Sequence, residues 1–344
     1  MSPRILALVL VLAPLLVACR VTRGPEGEPA PEPTLLGTRL TNDLGNLNND
    51  YTHGTEVWVS QPVERAPAFV RGLADGWLVG LLTWPLDLGA GEVDRRVLGY
   101  RLAQQVYTPV NLRATALQVD DRPYAGWLHA GLSIARTRLD PDPDRRRDRR
   151  AALEIDLGIV GPSSLGEPIQ ESWHDFWELQ PVNGWDNQLH DEPALLVVRR
   201  HDWRVHHAAL GEDADLDALA FADWSVGNLR TGLELGATLR LGRDLPRDFG
   251  MRSPARPGPD GGGAHLLLDL SGRYVAQDLF LDGNTWKDSH AVDKEPFVGQ
   301  VGVGFSLPLG DGLRLRLMRV LRSEEFEGQV GSRGVWTLDL ATSL

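Results

Sequence analysis

The chain has 344 residues, a formal net charge of −12, 37 glycines, 11 tryptophans and one cysteine. This acidic balance argues against a nucleic-acid partner, because phosphate binding needs a concentrated basic surface. A single cysteine excludes an intrachain disulfide, and since no linker composition divides the sequence, we expect one folded domain.

The first 19 residues have the pattern of an export signal. Arg4 precedes an apolar run over residues 5–16, which leads into a Leu-Val-Ala box directly before Cys19. This box resembles the lipidation site of bacterial lipoproteins, and simple cleavage after Ala18 is the alternative. Residues 20–33 are rich in proline, glutamate and glycine, and they predict a disordered tether.

From Thr34 onward the side chains alternate with a period of two residues, as they do in β-strands. In residues 313–317 leucine alternates with arginine. Leucine on one face and arginine on the other suit a strand between lipid and a polar lumen. Similar runs predict roughly a dozen strands, near residues 35–42, 53–62, 97–108, 125–138, 151–160, 194–205, 224–230, 233–241, 265–281, 296–307 and 333–344.

The length of these runs favours a membrane barrel. A tilted membrane strand needs roughly nine to eleven residues, whereas strands of a soluble β-sandwich usually have about five to six. We therefore predict an all-β fold, a transmembrane antiparallel β-barrel over residues 34–344.

Three stretches do not alternate. Residues 65–88 suit either a short amphipathic helix at the membrane surface or a loop that plugs the lumen. Residues 244–263 are rich in glycine, proline, aspartate and arginine and predict a mobile loop. Residues 161–193 are polar and aromatic, and we predict that they form the active-site loop.

Within the active-site loop, Gln170 and His174 are four residues apart, so a helical turn would put both side chains on one face. Trp173, Phe176 and Trp177 would give the other face an apolar support. The alternative is a surface helix that carries an incidental histidine.

A second polar segment joins the first two predicted strands and contains Asn42, Asp43 and Thr52. Oxygen-bearing side chains of this kind suit a hard cation such as calcium. An ordinary β-turn is the alternative, because asparagine and aspartate favour turns.

Seven motifs occur in the order found in one family of enzymes, at residues 42–43, 51–54, 105–109, 121–127, 158–162, 170 with 174, and 184–188. On these motifs the chain resembles the outer-membrane lipid A 3′-O-deacylase family. The resemblance implies a barrel of about 12 strands in the bacterial outer membrane, with a short helix in an extracellular loop. The expected partners are lipid A or lipopolysaccharide as substrate and outer-membrane lipids, and the expected state is a monomer.

The family's activity is calcium-dependent hydrolysis of the ester that holds the 3′-linked acyloxyacyl chain of lipid A. Its site lies between the outer wall of the barrel and the helix. Carried over by motif, His174 is the base that activates water, and Asp43 holds Ca²⁺. Asn42, Thr52 and Gln170 complete the implied catalytic set.

Two departures of this sequence from the family concern the residues expected to bind substrate, and a third, His53 where asparagine is more usual, is expected to be structural. Some members have a carboxylate where this chain has Gln180, and Glu178 is the nearby substitute that we expect to bind substrate. Some members have a basic pair to meet the lipid A phosphates, where only Arg113 is found here. The alternatives to the enzyme are a non-catalytic outer-membrane barrel, either a pore or a structural lipoprotein, and a soluble periplasmic ligand-binding barrel. The absence of a Gly-x-Ser-x-Gly motif counts against a serine esterase.

Overall fold

The computed structural model describes residues 34–42, 51–74, 93–142, 146–250, 252, 262–310, 312–330 and 334–344. Within these residues it has twelve strands: β1 Leu35–Asn42, β2 Tyr51–Pro62, β3 Val93–Tyr107, β4 Ala125–Leu139, β5 Arg149–Val160, β6 Glu192–Ala209, β7 Asp215–Val226, β8 Arg230–Gly242, β9 His265–Asp278, β10 Phe297–Pro308, β11 Leu313–Arg322 and β12 Gly334–Ser343. Three α-helices accompany them in the same residues: α1 Ala68–Ala74, α2 Gly166–Phe176 and α3 Leu279–Asp282. The described residues do not include the export signal, Cys19 or the tether, so these three assignments stay predictions.

The strands form one closed antiparallel barrel in which each strand pairs with its neighbours along the chain. β1 and β12 close it, with Leu35 opposite Ser343 and Asn42 opposite Trp336. Closure pairs the backbone groups of every strand edge, which lipid could not satisfy. The predicted twelve-stranded barrel is therefore confirmed.

Alternation along the strands separates an apolar outer wall from a charged lumen. On β8, Leu239 and Leu241 are 42% and 43% exposed, whereas Arg240 between them is 0% exposed. Arg240 donates to the carboxylate of Asp217 on β7. This is the arrangement that the leucine and arginine pattern of the sequence predicts. No helix in the described ranges is long and apolar enough to cross a membrane.

The predicted strand at residues 224–230 was wrong, because β7 ends at Val226 and a short turn precedes β8. Most of β7 was missed, since aspartates interrupt its apolar pattern. In the fold, Asp217 and Asp223 are buried and form ion pairs with arginines of β6. Carboxylates that face the lumen thus give the sequence of a strand the polar composition of a loop.

The two ends of the barrel differ. The first described residue and the C-terminus, here called the termini, lie at one end, where the Leu344 amide donates to the Thr34 carbonyl at 2.7 Å. The opposite end, here called the loop end, carries the β3–β4 connection at 108–124, the β5–β6 connection at 161–191 and the β9–β10 connection at 279–296. The segment predicted to hold the active site is thus at the loop end.

The described parts of the other two interruptions lie at the end with the termini. Residues 65–74 contain α1, whereas residues 75–88 are outside the described part of the chain. Residues 244–250 differ from the mobile loop expected there, because Leu245 and Phe249 are buried. The Pro246 carbonyl also accepts hydrogen bonds from Arg204 and Arg240 inside the barrel. This segment packs against the lumen charges.

Candidate active site

Helix α2 lies against the outside of the barrel, over β3 and β4. The Gln104 side chain donates to the Ser164 carbonyl at 2.6 Å, just before the helix. Leu102, two residues earlier and therefore on the same face of β3, is 52% exposed. A Cβ atom at Gly126 of β4 would lie 2.1 Å from Ser164 Oγ, so glycine permits this close approach. The helix therefore covers the lipid-facing wall and not the lumen.

The predicted helical turn is confirmed, and it buries both candidate residues on one face. Gln170 is 2% exposed and His174 is 7% exposed. The expected apolar support was only partly right. Phe176 and Trp177 are 62% and 56% exposed, so neither residue supports the helix from within. Burial of the polar face and exposure of aromatic rings is the reverse of a typical surface helix.

The turn after α2 orients His174. Glu178 has the left-handed backbone angle φ 53°, and the Leu179 amide donates to the His174 carbonyl at 2.8 Å. This is the Schellman arrangement that ends many helices. It reverses the chain and brings the Gln180 carbonyl oxygen to 2.6 Å from His174 Nδ1. A carbonyl can only accept, so Nδ1 carries the proton and Nε2 of the neutral ring keeps its lone pair.

Gln170 is held by an aromatic partner. The Trp185 indole Nε1 donates to Gln170 Oε1 at 3.0 Å, and both side chains are 2% exposed. The other amide atom, Gln170 Nε2, is buried and has no hydrogen-bond partner among the described residues. Because buried donors are nearly always satisfied, this orphan group is a candidate contact for a bound ligand.

The first two strands meet the helix through His53. Asn42 ends β1 and lies directly opposite His53 of β2, so the two side chains share a face of the sheet. The His53 ring lies 5.1 Å from the Trp173 ring of α2. Asn42 is thereby brought to the side of the wall that the helix covers.

Two predicted site residues are described only in part or not at all. The register between β2 and β3 shifts between Tyr51 and His53, which makes Thr52 the extra residue of a β-bulge. Bulges are frequent next to active sites, because they redirect a strand locally. The Thr52 side chain and the whole of Asp43 lie outside the described residues. The structure therefore brings together the strand containing Asn42 and the helix containing Gln170 and His174, and leaves the role of Asp43 a prediction.

The two predicted substrate-binding residues flank this region. Arg113 is exposed, and its carbonyl accepts from the Asn183 side chain at 3.3 Å. Asn183 also donates its amide to the Leu112 carbonyl at 2.8 Å, so the β3–β4 connection is fixed to the active-site loop. Glu178 is exposed at the end of α2.

The exposed side of α2 is acidic. Burial, and then the nearby carboxylates of Glu171 and Asp186, raise the pKa of Glu167. In the described part of the chain, no group of three or more His, Cys, Asp or Glu side chains is arranged to hold a metal ion.

Sequence reasoning missed two contacts of the site. The Gln180 carbonyl was overlooked because only the side chain at that position was compared with the family. Trp185 stood in a matching motif, but no property of the sequence linked its indole to Gln170. Both contacts depend on the path of the loop backbone, which side-chain patterns do not encode.

A model of the family described as outer membrane protein LpxR matches residues 5–342. No curated protein matches the chain. LpxR from Salmonella typhimurium has a similar structure, with a TM-score of 0.68 and 19% identity over 90% of this chain and 100% of that chain. The translocator domain of the autotransporter NalP from Neisseria meningitidis reaches a TM-score of 0.40 at 10% identity, over 90% of this chain and 87% of that chain.

The similarity to the Salmonella protein supports the fold, a closed antiparallel β-barrel of twelve strands. The family match extends over nearly the whole sequence. The chain therefore belongs to the LpxR family of outer membrane proteins.

Proposed function

We propose that this protein hydrolyses the ester that joins the 3′-linked acyloxyacyl chain to lipid A, with water activated by His174. The observation that carries the proposal is the contact of His174 Nδ1 with the Gln180 carbonyl at 2.6 Å. It leaves Nε2 as a proton acceptor on the lipid-facing side of the barrel. A substrate that stays in the membrane can reach a site on the outer wall without entering the lumen.

The proton steps follow from that tautomer. Nε2 of His174 takes a proton from water, and the resulting hydroxide adds to the carbonyl carbon of the ester. The Gln180 carbonyl stabilises the imidazolium through the proton on Nδ1. When the tetrahedral intermediate collapses, the acyl C–O bond breaks and Nε2 returns its proton to the sugar oxygen. The products are a free fatty acid and a 3′-hydroxyl group.

Gln170 is suited to stabilise the charge that develops on the carbonyl oxygen. Its unpartnered Nε2 lies one helical turn from His174, on the same buried face. Preorganised donors of this kind contribute most in a site from which water is excluded. Arg113, exposed beside the loop, would contact a phosphate group of the lipid A headgroup.

The residue types at the end of β1 and directly after it suit calcium, because the carboxylate of Asp43 and the amide oxygen of Asn42 are both oxygen ligands. We propose that Asp43 would hold the ion, and that Asn42 or Thr52 supports the oxyanion or the attacking water. Bound Ca²⁺ would supply positive charge near the developing oxyanion.

Mass spectrometry of lipid A from cells that produce the chain tests the function. We expect a lipid A species that lacks the 3′-linked acyloxyacyl chain. Asp43→Ala, or removal of calcium by a chelator, should suppress this species while the barrel remains folded, as judged by heat-modifiable migration in detergent gels. Lipid A of unchanged mass, in cells with a folded wild-type barrel, would favour a non-catalytic barrel instead.

A further inference from the structure

We propose that Trp185 is a positioning residue of this site, which fixes the side-chain amide of Gln170 so that its NH₂ group faces the ester carbonyl. The inference rests on the proposed deacylase function and adds a residue to it. Its basis is the hydrogen bond from Trp185 Nε1 to Gln170 Oε1 at 3.0 Å.

The chemistry of the indole selects one orientation of the amide. An indole N–H group can donate but cannot accept a hydrogen bond. The amide must therefore present its oxygen to Trp185, which directs both N–H bonds of Gln170 Nε2 away from the indole. If the amide were flipped, its NH₂ group would face the indole N–H, and two donors would meet without an acceptor. Water could not relieve this contact, because Gln170 and Trp185 are both 2% exposed. The orphan donor of Gln170 is thus held in one direction.

The packing around Trp185 prevents the indole from moving. It belongs to a buried cluster with Tyr124 and Leu112, and the rings of Trp185 and Tyr124 are 5.2 Å apart. A Cβ atom at Gly166, the first residue of α2, would lie 2.8 Å from the indole. At Gly184 a Cβ atom would lie 2.3 Å from the Tyr124 ring, so the chain before Trp185 fits closely.

Hydrogen bonds tie the same segment to the β3–β4 connection. The side-chain NH₂ group of Asn187 donates to the Thr115 carbonyl at 2.9 Å. The backbone amide of Leu189 donates to the Tyr124 carbonyl, also at 2.9 Å. The segment that carries the indole is therefore held by the β3–β4 connection of the barrel, whereas the indole itself donates to Gln170 of helix α2. Trp185 therefore transmits the rigidity of the strand ends to Gln170.

Trp185→Phe is the informative substitution, because phenylalanine keeps an aromatic ring in the cluster and removes the N–H group. The Gln170 amide would then be free to flip, and its donor would face the substrate only part of the time. Loss of one oxyanion donor typically lowers kcat by about 10² to 10³-fold. We expect a smaller loss for Trp185→Phe, of about tenfold or more, with KM unchanged.

A double-mutant cycle on the detergent-solubilised full chain with purified lipid A tests this. Wild type, Trp185→Phe, Gln170→Ala and the double variant are compared for kcat and KM. If Trp185 acts through Gln170, its substitution costs activity in the wild type and nothing further in the Gln170→Ala background. Trp127→Phe is the matched control, since Trp127 is 3% exposed and its Nε1 has no partner in the described residues.

Two results would overturn the inference: wild-type kcat in Trp185→Phe, or the same loss in both backgrounds. An inactive wild type would instead count against the proposed function and, with it, this inference. If Trp185→Phe does not fold, the variants Gln170→Glu and Gln170→Met test the contact between Trp185 and Gln170 instead. Glutamate still offers the indole an oxygen acceptor, whereas the thioether of methionine is only a weak acceptor, so we expect Gln170→Met to lower heat stability more than Gln170→Glu. Equal stability of these variants would contradict the proposed contact.

Discussion

Single residues in this site are oriented by backbone geometry as much as by side-chain partners. His174 donates to the Gln180 backbone carbonyl at 2.6 Å. In many other enzymes the acceptor at this place is a carboxylate. That contact depends on Glu178, which adopts φ 53° although it is not glycine. Such a conformation costs about 1 to 2 kcal/mol in an L-residue. The site therefore stores local strain beside its proposed base.

The strain at Glu178 gives a prediction about stability. Glu178→Gly should raise the free energy of unfolding by about 1 kcal/mol, because glycine adopts positive φ without a steric penalty. Glu178→Gln keeps the Cβ atom and should leave thermal stability unchanged. Slower deacylation by both variants is expected if this carboxylate replaces the one missing at Gln180. Wild-type rates in both would remove Glu178 from the site.

The spacing of Gln170 and His174 was sufficient to predict their common helix face. The partners of these residues were not predictable, for a physical reason. The Gln180 carbonyl approaches His174 only because a non-glycine residue ends the helix in the left-handed conformation. Trp185 reaches Gln170 across 15 residues of irregular chain, where no periodic pattern relates the two positions.

At the scale of elements, the connections of the loop end are fastened to one another. The His190 amide donates to Asn284 Oδ1 at 2.9 Å, and the Thr285 amide donates to Glu192 Oε2 at 2.8 Å. Through the β9–β10 connection the end of the active-site loop is therefore anchored. The C-terminal end of α2 differs, because its aromatic residues point away from the protein.

The exposed aromatic pair predicts a membrane contact beside the site. The rings of Phe176 and Trp177 are 5.0 Å apart and lie at the end of a helix on the lipid-facing wall. Aromatic side chains are enriched at membrane interfaces. Replacing both by serine should slow deacylation of lipid A in bilayers several-fold and leave the rate in detergent micelles unchanged. Phe69→Ser, at a residue 72% exposed on α1, is the control. Equal losses in bilayers and micelles would argue for a direct role in substrate binding.

Glu325, in the connection after β11, predicts a pH-dependent stability of the loop end. Burial opposes its charged form, but Arg322, Arg122 and Arg273 outweigh burial and lower the pKa of Glu325 to about 2. Since the folded pKa is depressed, the stabilisation is present above the unfolded pKa near 4.5 and is lost as pH falls toward 2.

Glu325→Gln tests this network. The variant should unfold at a lower temperature than wild type at pH 7, with the difference shrinking between pH 4.5 and pH 2. Thermal unfolding followed by circular dichroism across this range is the measurement. A difference that is constant with pH would mean that the charge of Glu325 does not contribute.

At the scale of the whole molecule, the alternation of leucine with polar residues was enough to predict a closed barrel, because lipid outside and charge inside impose one pattern on every strand. The pattern failed where the lumen itself is acidic, as in β7, and it did not reveal the packed segment 244–250. Both features depend on ion pairs with arginines of other strands. Asp217, for example, contacts Arg204 and Arg240. Pairing between distant residues is not visible in local sequence.

The most direct test of the account is the release of the 3′-linked acyloxyacyl chain from purified lipid A by the solubilised protein, compared for wild type, His174→Ala and His207→Ala. His207 is the control, because its side chain is 6% exposed and forms a hydrogen bond with Asp217 on the lumen side of the barrel. We expect wild type and His207→Ala to release the chain, and His174→Ala to do so at least about 10²-fold more slowly, the typical worth of a general base. A folded His174→Ala protein that releases the chain at nearly the wild-type rate would contradict the assignment of His174 as the base.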